Sequence, residues 1–312
     1  MTTIKIRPER VTDYSQIGNL HAQAFGNRAG EPAIVALLRQ RRAFDPALSL
    51  LAEIDGQVVG HVLFSPYQMS LGGQLVPAVN LAPIAVSPAY QGQGIGGQLI
   101  REGHRLAAAK GYIVSVLIGH PTYYPRFGYQ MHAFGLARLE LSLTADKGEP
   151  LTVRPPQQAD VAALCALWQR EEADVDMVFA PEPDLLAWLS PDPAVRALVF
   201  LRADQVVGYT RVHSAEPTNP RIFLARDAET AHAMLASIAH QFGGQEPGTI
   251  YTLPLHPASA LAPALGQATV SSESWAMACS LVPGPLEDYM AGVREGKRLL
   301  GRALWPVAFD LA

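Results

Sequence analysis

The chain repeats itself once, and that fact constrains its fold more than any local pattern, because self-similarity at long period marks an architecture built from like units. Residues 4–25 read IKIRPERVTDYSQIGNLHAQAF, and residues 151–172 read LTVRPPQQADVAALCALWQREE. Each is a short strand, an Arg-Pro pair, an Asp and a helix with one apolar face. Arg7 and Arg154 are 147 positions apart. Farther on, LLAEIDGQVVGHVLF is echoed by LVFLRADQVVGYTRV, with Gln-Val-Val-Gly at 57–60 and again at 205–208, an offset of 148. Two separate matches at nearly one spacing predict two copies of one fold, residues 1–147 and 148–312, joined by the polar stretch Thr144–Pro150. A length of 312 residues suits two domains.

Within the first copy, the pattern predicts a strand at 3–7, helices near 12–25 and 31–42, strands near 48–55, 58–69 and 77–86, a further helix and the buried strand run YIVSVLIG. The helix carries Ile95, Leu99, Leu106 and Ala107 at spacings that share one face, with Gly111 at its end. Strands paired by a turn and later linked through a helix predict an α/β (α+β) fold, a mixed sheet with helices on its faces.

Charge narrows the partners. The net of −4 argues against nonspecific nucleic-acid binding as the main role. The two halves differ: residues 1–150 hold 13 Lys and Arg against 10 Asp and Glu, a net of +3, while residues 151–312 hold 11 against 18, a net of −7. A polyanionic ligand is expected on the first half. No apolar run reaches the ~18 residues of a spanning helix and MTTIKIRPER has no apolar signal region, so no membrane association and a cytoplasmic location are expected. Cys165 and Cys279 have no motif spacing and are expected to be buried small hydrophobes, with no metal and no disulfide framework.

The chemistry is concentrated in VNLAPIAVSPAYQGQGIGGQLIREG. A strand ends at Val86, Ser87-Pro88 breaks it, and Gln91, Gly92, Gln93, Gly94, Ile95 and Gly96 open the next helix. Glycines let phosphate oxygens approach main-chain N–H groups that a Cβ would shield. The helix N-terminus adds unpaired N–H groups and the favourable end of its dipole. Alone, such a turn also fits a dinucleotide-binding loop or a plain loop.

The run Q-G-Q-G-I-G after A-V-S-P resembles the acetyl-CoA signature of the GNAT superfamily of N-acetyltransferases, in which Gln or Arg is followed by two residues, Gly, one residue, and Gly or Ala. GHPTYYPRFGY resembles the Gly-Asp-Pro…Tyr-Tyr…Arg-Phe-Gly-Phe segment of one bacterial subgroup, and HVLFSP after Val-Val-Gly is similar to it as well. The likeness covers roughly residues 1–140. It implies acetyl-CoA as cosubstrate, with main-chain groups of Ile84, Ala85 and Val86 along the acetyl and pantetheine arm and Gln91 to Gly96 around the pyrophosphate. It also implies that Tyr124, four residues before Gly128-Tyr129, protonates the departing thiolate. Packing in an aromatic knot with Tyr123 and Phe127 is the other reading of Tyr124.

The base is less defined. VNLAPIAV carries no carboxylate, whereas some superfamily members use a Glu there. His120, which replaces the subgroup's Asp, is the first candidate and His61 the second, each against a non-catalytic reading. Glu31 could attract a cationic amine or simply sit solvated at a helix start. The second copy has Asp227-Ala228-Glu229 where the glycine turn should be, and LPLHPASALAPALGQ keeps His256-Pro257 but no tyrosines, so it is expected to be degenerate. The closing stretch REGKRLLGRALWPVAFDLA, with Arg294, Lys297, Arg298 and Arg302, predicts an amphipathic helix and an apolar tail docked on the body or lying on a membrane surface. The expected activity is acetyl transfer to a primary amine of a small molecule or peptide. A non-catalytic acyl-CoA-binding or small-molecule-sensing protein is the alternative. The oligomeric state is not fixed, and a homodimer stays open.

Overall fold

The structure, a computed structural model, describes residues 4–144, 149–243, 246–303 and 306–311. The expected boundary at 147/148 and the middle of the Thr144–Pro150 stretch lie outside the described residues. In chain order the first half runs β1 (Lys5–Pro8), α1 (Tyr14–Ala24), α2 (Gly30–Leu38), β2 (Ser49–Ile54), β3 (Gln57–Leu71), β4 (Gln74–Val86), α3 (Ile95–Ala109), β5 (Val114–Ile118) and β6 (Gly135–Ser142). The second runs β7 (Thr152–Arg154), α4 (Val161–Glu172), β8 (Val195–Arg202), β9 (Gln205–His213), β10 (Ile222–Ala225), α5 (Ala228–Gln241), β11 (Ile250–Leu253), α6 (Ala262–Leu265), β12 (Thr269–Ser272), β13 (Ala276–Ser280) and α7 (Pro285–Arg294). The fold is mixed α/β. Helix α2 stops at Leu38, four residues before the expected 42, and beyond it Arg39 and Arg41 pair with Glu9 and Glu182 at 2.6 Å each.

The repeated sequence repeats as geometry. Arg7 grips Asp13 through two hydrogen bonds of 2.7 and 3.0 Å, and Asp13 also accepts from the Arg10 amide at 2.7 Å. Arg154 grips Asp160 at 2.6 and 2.8 Å, and Asp160 accepts from the Gln157 amide at 2.7 Å. In each half the carboxylate satisfies the start of the helix while the guanidinium ties the first strand to it, so the Arg-Pro…Asp pattern acts as a unit.

A six-stranded sheet, ordered β1-β2-β3-β4-β5-β13, is antiparallel except where β4 meets β5. Helices α1 and α2 cover one face and α3 the other. On the α3 face, Ile95, Leu99 and Ile100 pack on Leu50, Val62 and Phe64, all fully or almost fully buried. Truncating such a residue, as in Leu99→Ala, costs about 2–5 kcal/mol. The other sheets are ordered β10-β9-β8-β7 and β11-β6-β12.

The halves exchange their last strands. β6, from the first half, lies between β11 and β12 of the second. β13, from the second half, completes the first sheet beside β5, with Ala276 opposite Ile118 and Ser280 opposite Val114.

The closing segment differs from expectation. α7 ends at Arg294, and Gly296 follows at φ +68, a left-handed turn that breaks the basic periodicity. Arg302 then points inward, only 1% exposed, pairing with Glu172 and the Pro254 carbonyl. Arg298 pairs with Asp176 at 2.8 Å. The tail docks on the body: Ala308 packs among α2 side chains, and Asp310 pairs with Arg211 and Arg221 at 2.8 Å each. Among the described residues no helix is long and apolar enough to cross a membrane. Cys279 is buried, Cys165 is half-buried, and both are free.

Candidate active site

Strands β4 and β5 pair only from Ala78 to Asn80 against Val114 to Val116. Beyond that point β4 continues to Val86 paired with β3 alone, through a register shift between Val62 and Phe64, while β5 ends at Ile118. The strands part, and main-chain groups on the free side of β4 face the gap. The gap is a cleft of about 750 Å³. Ile84 and Val86 form one wall, His120, Tyr123, Tyr124 and Phe127 the other, and the glycine turn closes the end.

That turn is built to leave donors open. Gln91 fastens it to the strand, its amide donating to the Val86 carbonyl at 3.0 Å. Gly92 and Gly94 hold φ of +76 and +78, conformations that side chains resist, and no atom lies within 4 Å of where a Cβ would stand. Helix α3 begins directly after Gly94 with no side chain capping it. Its first internal bond runs from the Gln98 amide to the Gly94 carbonyl at 3.1 Å, so the amides of Ile95, Gly96 and Gly97 have no partner within the helix. Arg101 and Arg126 add positive charge to the lining. The Arg126 guanidinium sits 4.6 Å over the Tyr123 ring and donates to the Tyr123 carbonyl. Open amides, a helix dipole and two guanidinium groups in one concave turn suit a diphosphate.

Gly96 and Gly97 serve a different purpose. A Cβ would stand 2.7 Å from the Tyr123 hydroxyl at Gly96 and 2.8 Å from the Phe127 ring at Gly97. The aromatic wall can approach α3 only because both are glycine. Gly119 likewise makes room for Tyr124, whose ring a Cβ would meet at 2.2 Å.

Tyr124 belongs to both the cleft and the aromatic knot. It is 9% exposed, crosses Tyr123 edge-on at 5.1 Å and Tyr129 at 5.9 Å, and lines the cleft. Burial, reinforced by neighbouring Tyr123, pushes its hydroxyl up to about 12, so at neutral pH it is a protonated donor. His120 is exposed at the cleft wall, and its carbonyl accepts from the Tyr123 amide at 3.0 Å.

Of the sequence candidates, Ile84, Val86, Gln91, Gly92, Gly94, Ile95, Gly96, His120 and Tyr124 line this cleft together. Gln93 is exposed outside it, and the Ala85 side chain points to the opposite face, among Ile17, Leu20 and Leu51. Glu31 lies on the first turn of α2 and does not line the cleft. His61, the second base candidate, lies outside the cleft, in keeping with its non-catalytic reading: it is fully buried on the α1 face, its Nδ1 2.8 Å from His21 Nε2 and its Nε2 2.9 Å from Ser49 Oγ and 3.4 Å from the Glu9 carboxylate. Burial holds both imidazoles neutral, lowering His61 and bringing His21 down to about 2 with help from His61 and Arg39. Burial alone would raise Glu9, but hydrogen bonds from His61, Arg39 and Ser49 bring it down to about 2. This polar core is structural. Sequence reasoning missed Arg101 and Arg126; the Arg inside YYPRFGY was the available signal for the second.

The equivalent turn in the second half closes itself. Asp227 caps α5, its carboxylate accepting from the Thr230 amide at 2.7 Å. His256, the counterpart of His120, is 1% exposed, with Nε2 donating to the Leu300 carbonyl at 2.7 Å and Nδ1 accepting from the Ala258 amide at 3.0 Å. Among the described residues no group of three or more His, Cys, Asp and Glu could hold a metal ion.

The family described as Acetyltransferase (GNAT) domain matches residues 5–132. The uncharacterized N-acetyltransferase YjhQ of Escherichia coli strain K12 is 38% identical over 149 residues, which are 47% of this chain and 75% of that protein. The uncharacterized N-acetyltransferase YhbS of the same strain is 34% identical over 117 residues, 33% of this chain and 69% of its own length. A solved GCN5-related N-acetyltransferase from Anabaena variabilis superposes with a TM-score of 0.67 at 16% identity, covering 90% of this chain and 73% of its own, a likeness of fold.

Proposed function

Because the chain belongs to the GNAT family of N-acetyltransferases, we propose that its first half, residues 1–147, moves an acetyl group from acetyl-CoA to a primary amine of a small molecule or peptide. Residues 148–312 are on this reading a second GNAT-like copy without a cofactor site. The observation that carries the proposal is the uncapped helix behind a left-handed glycine turn at the end of a splayed strand pair.

The turn from Gln91 to Gly96, with Arg101 and Arg126, would hold the diphosphate, and the free side of Ile84 to Val86 the pantetheine arm and acetyl group. Acetyl-CoA supplies the activated thioester. As the amine nitrogen bonds to the acetyl carbon, main-chain N–H groups near Val86 stabilise the negative charge growing on the carbonyl oxygen. The carbon–sulfur bond breaks and Tyr124 donates its proton to the departing sulfur. His120, exposed at the same wall, takes the ammonium proton directly or through water. No carboxylate competes for that role in the lining of the cleft.

A thiol-release assay with a panel of polyamines, amino acids, aminoglycosides and peptides with free N-termini tests the proposal. Amine-dependent release of CoA thiol is expected for at least one acceptor. One acetyl-CoA bound per chain with no thiol released across the panel would instead favour a sensing role.

A further inference from the structure

A second cavity, of about 240 Å³, lies where the two halves meet. Arg41 and Tyr67 line it from the first half, Trp168, Phe179 and Trp188 from the second, and Ala308 of the docked tail closes it. It shares no residue with the acetyl-transfer cleft. Tyr67 stands opposite Ala78, six residues before Ile84 on β4, which at ~3.3 Å per residue places the two sites roughly 15–20 Å apart.

Four polar atoms of the lining residues have no hydrogen-bond partner among the described residues: Tyr67 Oη, Trp168 Nε1, Trp188 Nε1 and Arg41 Nη1. All four carry hydrogens to donate, and the three aromatic residues are between 2% and 7% exposed. Buried donors of this kind require acceptors. Charge around the cavity is already paired: Arg41 donates to Glu182 at 2.6 Å, Arg211 pairs with Asp310 at 2.8 Å, and the Asp184 carboxylate lies 3.9 Å from the Arg42 guanidinium. The walls are ring faces, with Tyr67 stacked on Phe179 at 4.3 Å and Trp188 edge-on to Tyr209 at 5.0 Å. Burial keeps the Tyr67 hydroxyl protonated up to about 12, so it donates throughout the physiological range.

We propose that this cavity is a binding site for an uncharged aromatic molecule of one or two rings bearing carbonyl or hydroxyl oxygens, recognised by the unpaired hydrogen-bond donors among its aromatic walls. A cation would find ring faces but only donors and matched carboxylates. An anion would find Arg41 already neutralised. A ring inserted here touches both halves and the tail together, so its binding also fastens them.

Coumarin and benzamide serve as probes, titrated calorimetrically into the full chain, with choline as the cationic control. Coumarin is expected to saturate one site per chain with a Kd of about 10–100 μM, and choline to show no binding. Trp168→Phe and Trp188→Phe keep the rings and remove one donor each, and each should weaken coumarin about fivefold. Ala180→Leu fills the cavity and should abolish the heat. Acetyl-CoA titration and the thermal midpoint report whether each variant is folded, and acetyl-CoA affinity is expected to stay within twofold. No saturable heat from either probe, tighter binding of choline, or unchanged coumarin affinity in the folded double variant Trp168→Phe/Trp188→Phe would each overturn the proposal.

Discussion

Two strand-to-helix turns occupy equivalent places in the halves, and they have opposite relations to their own helices. After β4, the chain reaches α3 through left-handed Gly94, no side chain caps the helix, and its first amides have no partner within it. After β10, the chain reaches α5 through extended Asp227, whose carboxylate occupies the Thr230 amide. The histidines that follow diverge in the same sense, His120 exposed at a cleft and His256 committed to Leu300 and Ala258. The same offset that aligns the halves takes His21 to Trp168 and, at 148, His61 to Tyr209. A binding turn and a self-capped turn thus differ by which group satisfies the helix N-terminus.

Exchanging the character of the turns is the most severe way to break this contrast. Gly94→Glu places a charged side chain at a left-handed position and should weaken acetyl-CoA by about 10²-fold or more, as measured by calorimetry. Asp227→Gly uncaps the other helix without supplying a cleft, so the stoichiometry should remain one per chain, and a value near two would end the distinction.

Next in size is the wall. Tyr124→Phe should lower kcat by ~10²-fold with acetyl-CoA affinity nearly unchanged, as expected for a proton given up only in the transition state. Because the Tyr124 hydroxyl is raised to about 12, it remains an acid through the whole working range. The alkaline side of the kcat profile should stay flat up to pH 11, and a falling limb near pH 9 would assign the proton to another group.

The buried His pair sharpens the contrast through stability, since Trp168 and Tyr209 cannot titrate as imidazoles do. His21 and His61 are held neutral in the folded chain, whereas unfolded imidazoles protonate below about pH 6.5. Unfolding then takes up protons, so stability falls as pH falls below about 6.5. Urea titrations at stepped pH should show this slope, and His21→Gln/His61→Gln should flatten it.

The smallest effect belongs to the self-capped turn. Asp227→Ala removes the bond to Thr230 and should cost about 1 kcal/mol in urea unfolding, leaving acetyl-CoA affinity untouched.

What could be read in advance was what short stretches of chain determine. The Arg-Pro…Asp unit is a local contact spanning six residues, so its repetition in sequence is repetition in space. The glycine turn is equally local, and most of its residues line the cleft. His61 was left between two readings because strand alternation alone does not say which face holds the cleft, and the buried partners Glu9, Ser49 and His21 come from three other segments. The closing helix failed for a related reason: the basic spacing read as one face of an amphipathic helix, while Arg302 has a buried partner 130 residues away in Glu172. Strand exchange was illegible altogether, because β6 and β13 have similar neighbours to choose from and only the assembled sheets decide between them.

That exchange also sets an order of events during synthesis. The sheet that carries the cleft lacks its outermost strand until Ala276 to Ser280 have been made, long after Ile118. At ~5–20 residues per second, the nascent first half waits roughly 10–30 s with the edge of β5 uncovered. An uncovered edge invites pairing with another chain. The ribosome-bound intermediate therefore exposes an edge that the finished chain covers, and arrival of the second half's last strand both ends that exposure and completes the sheet.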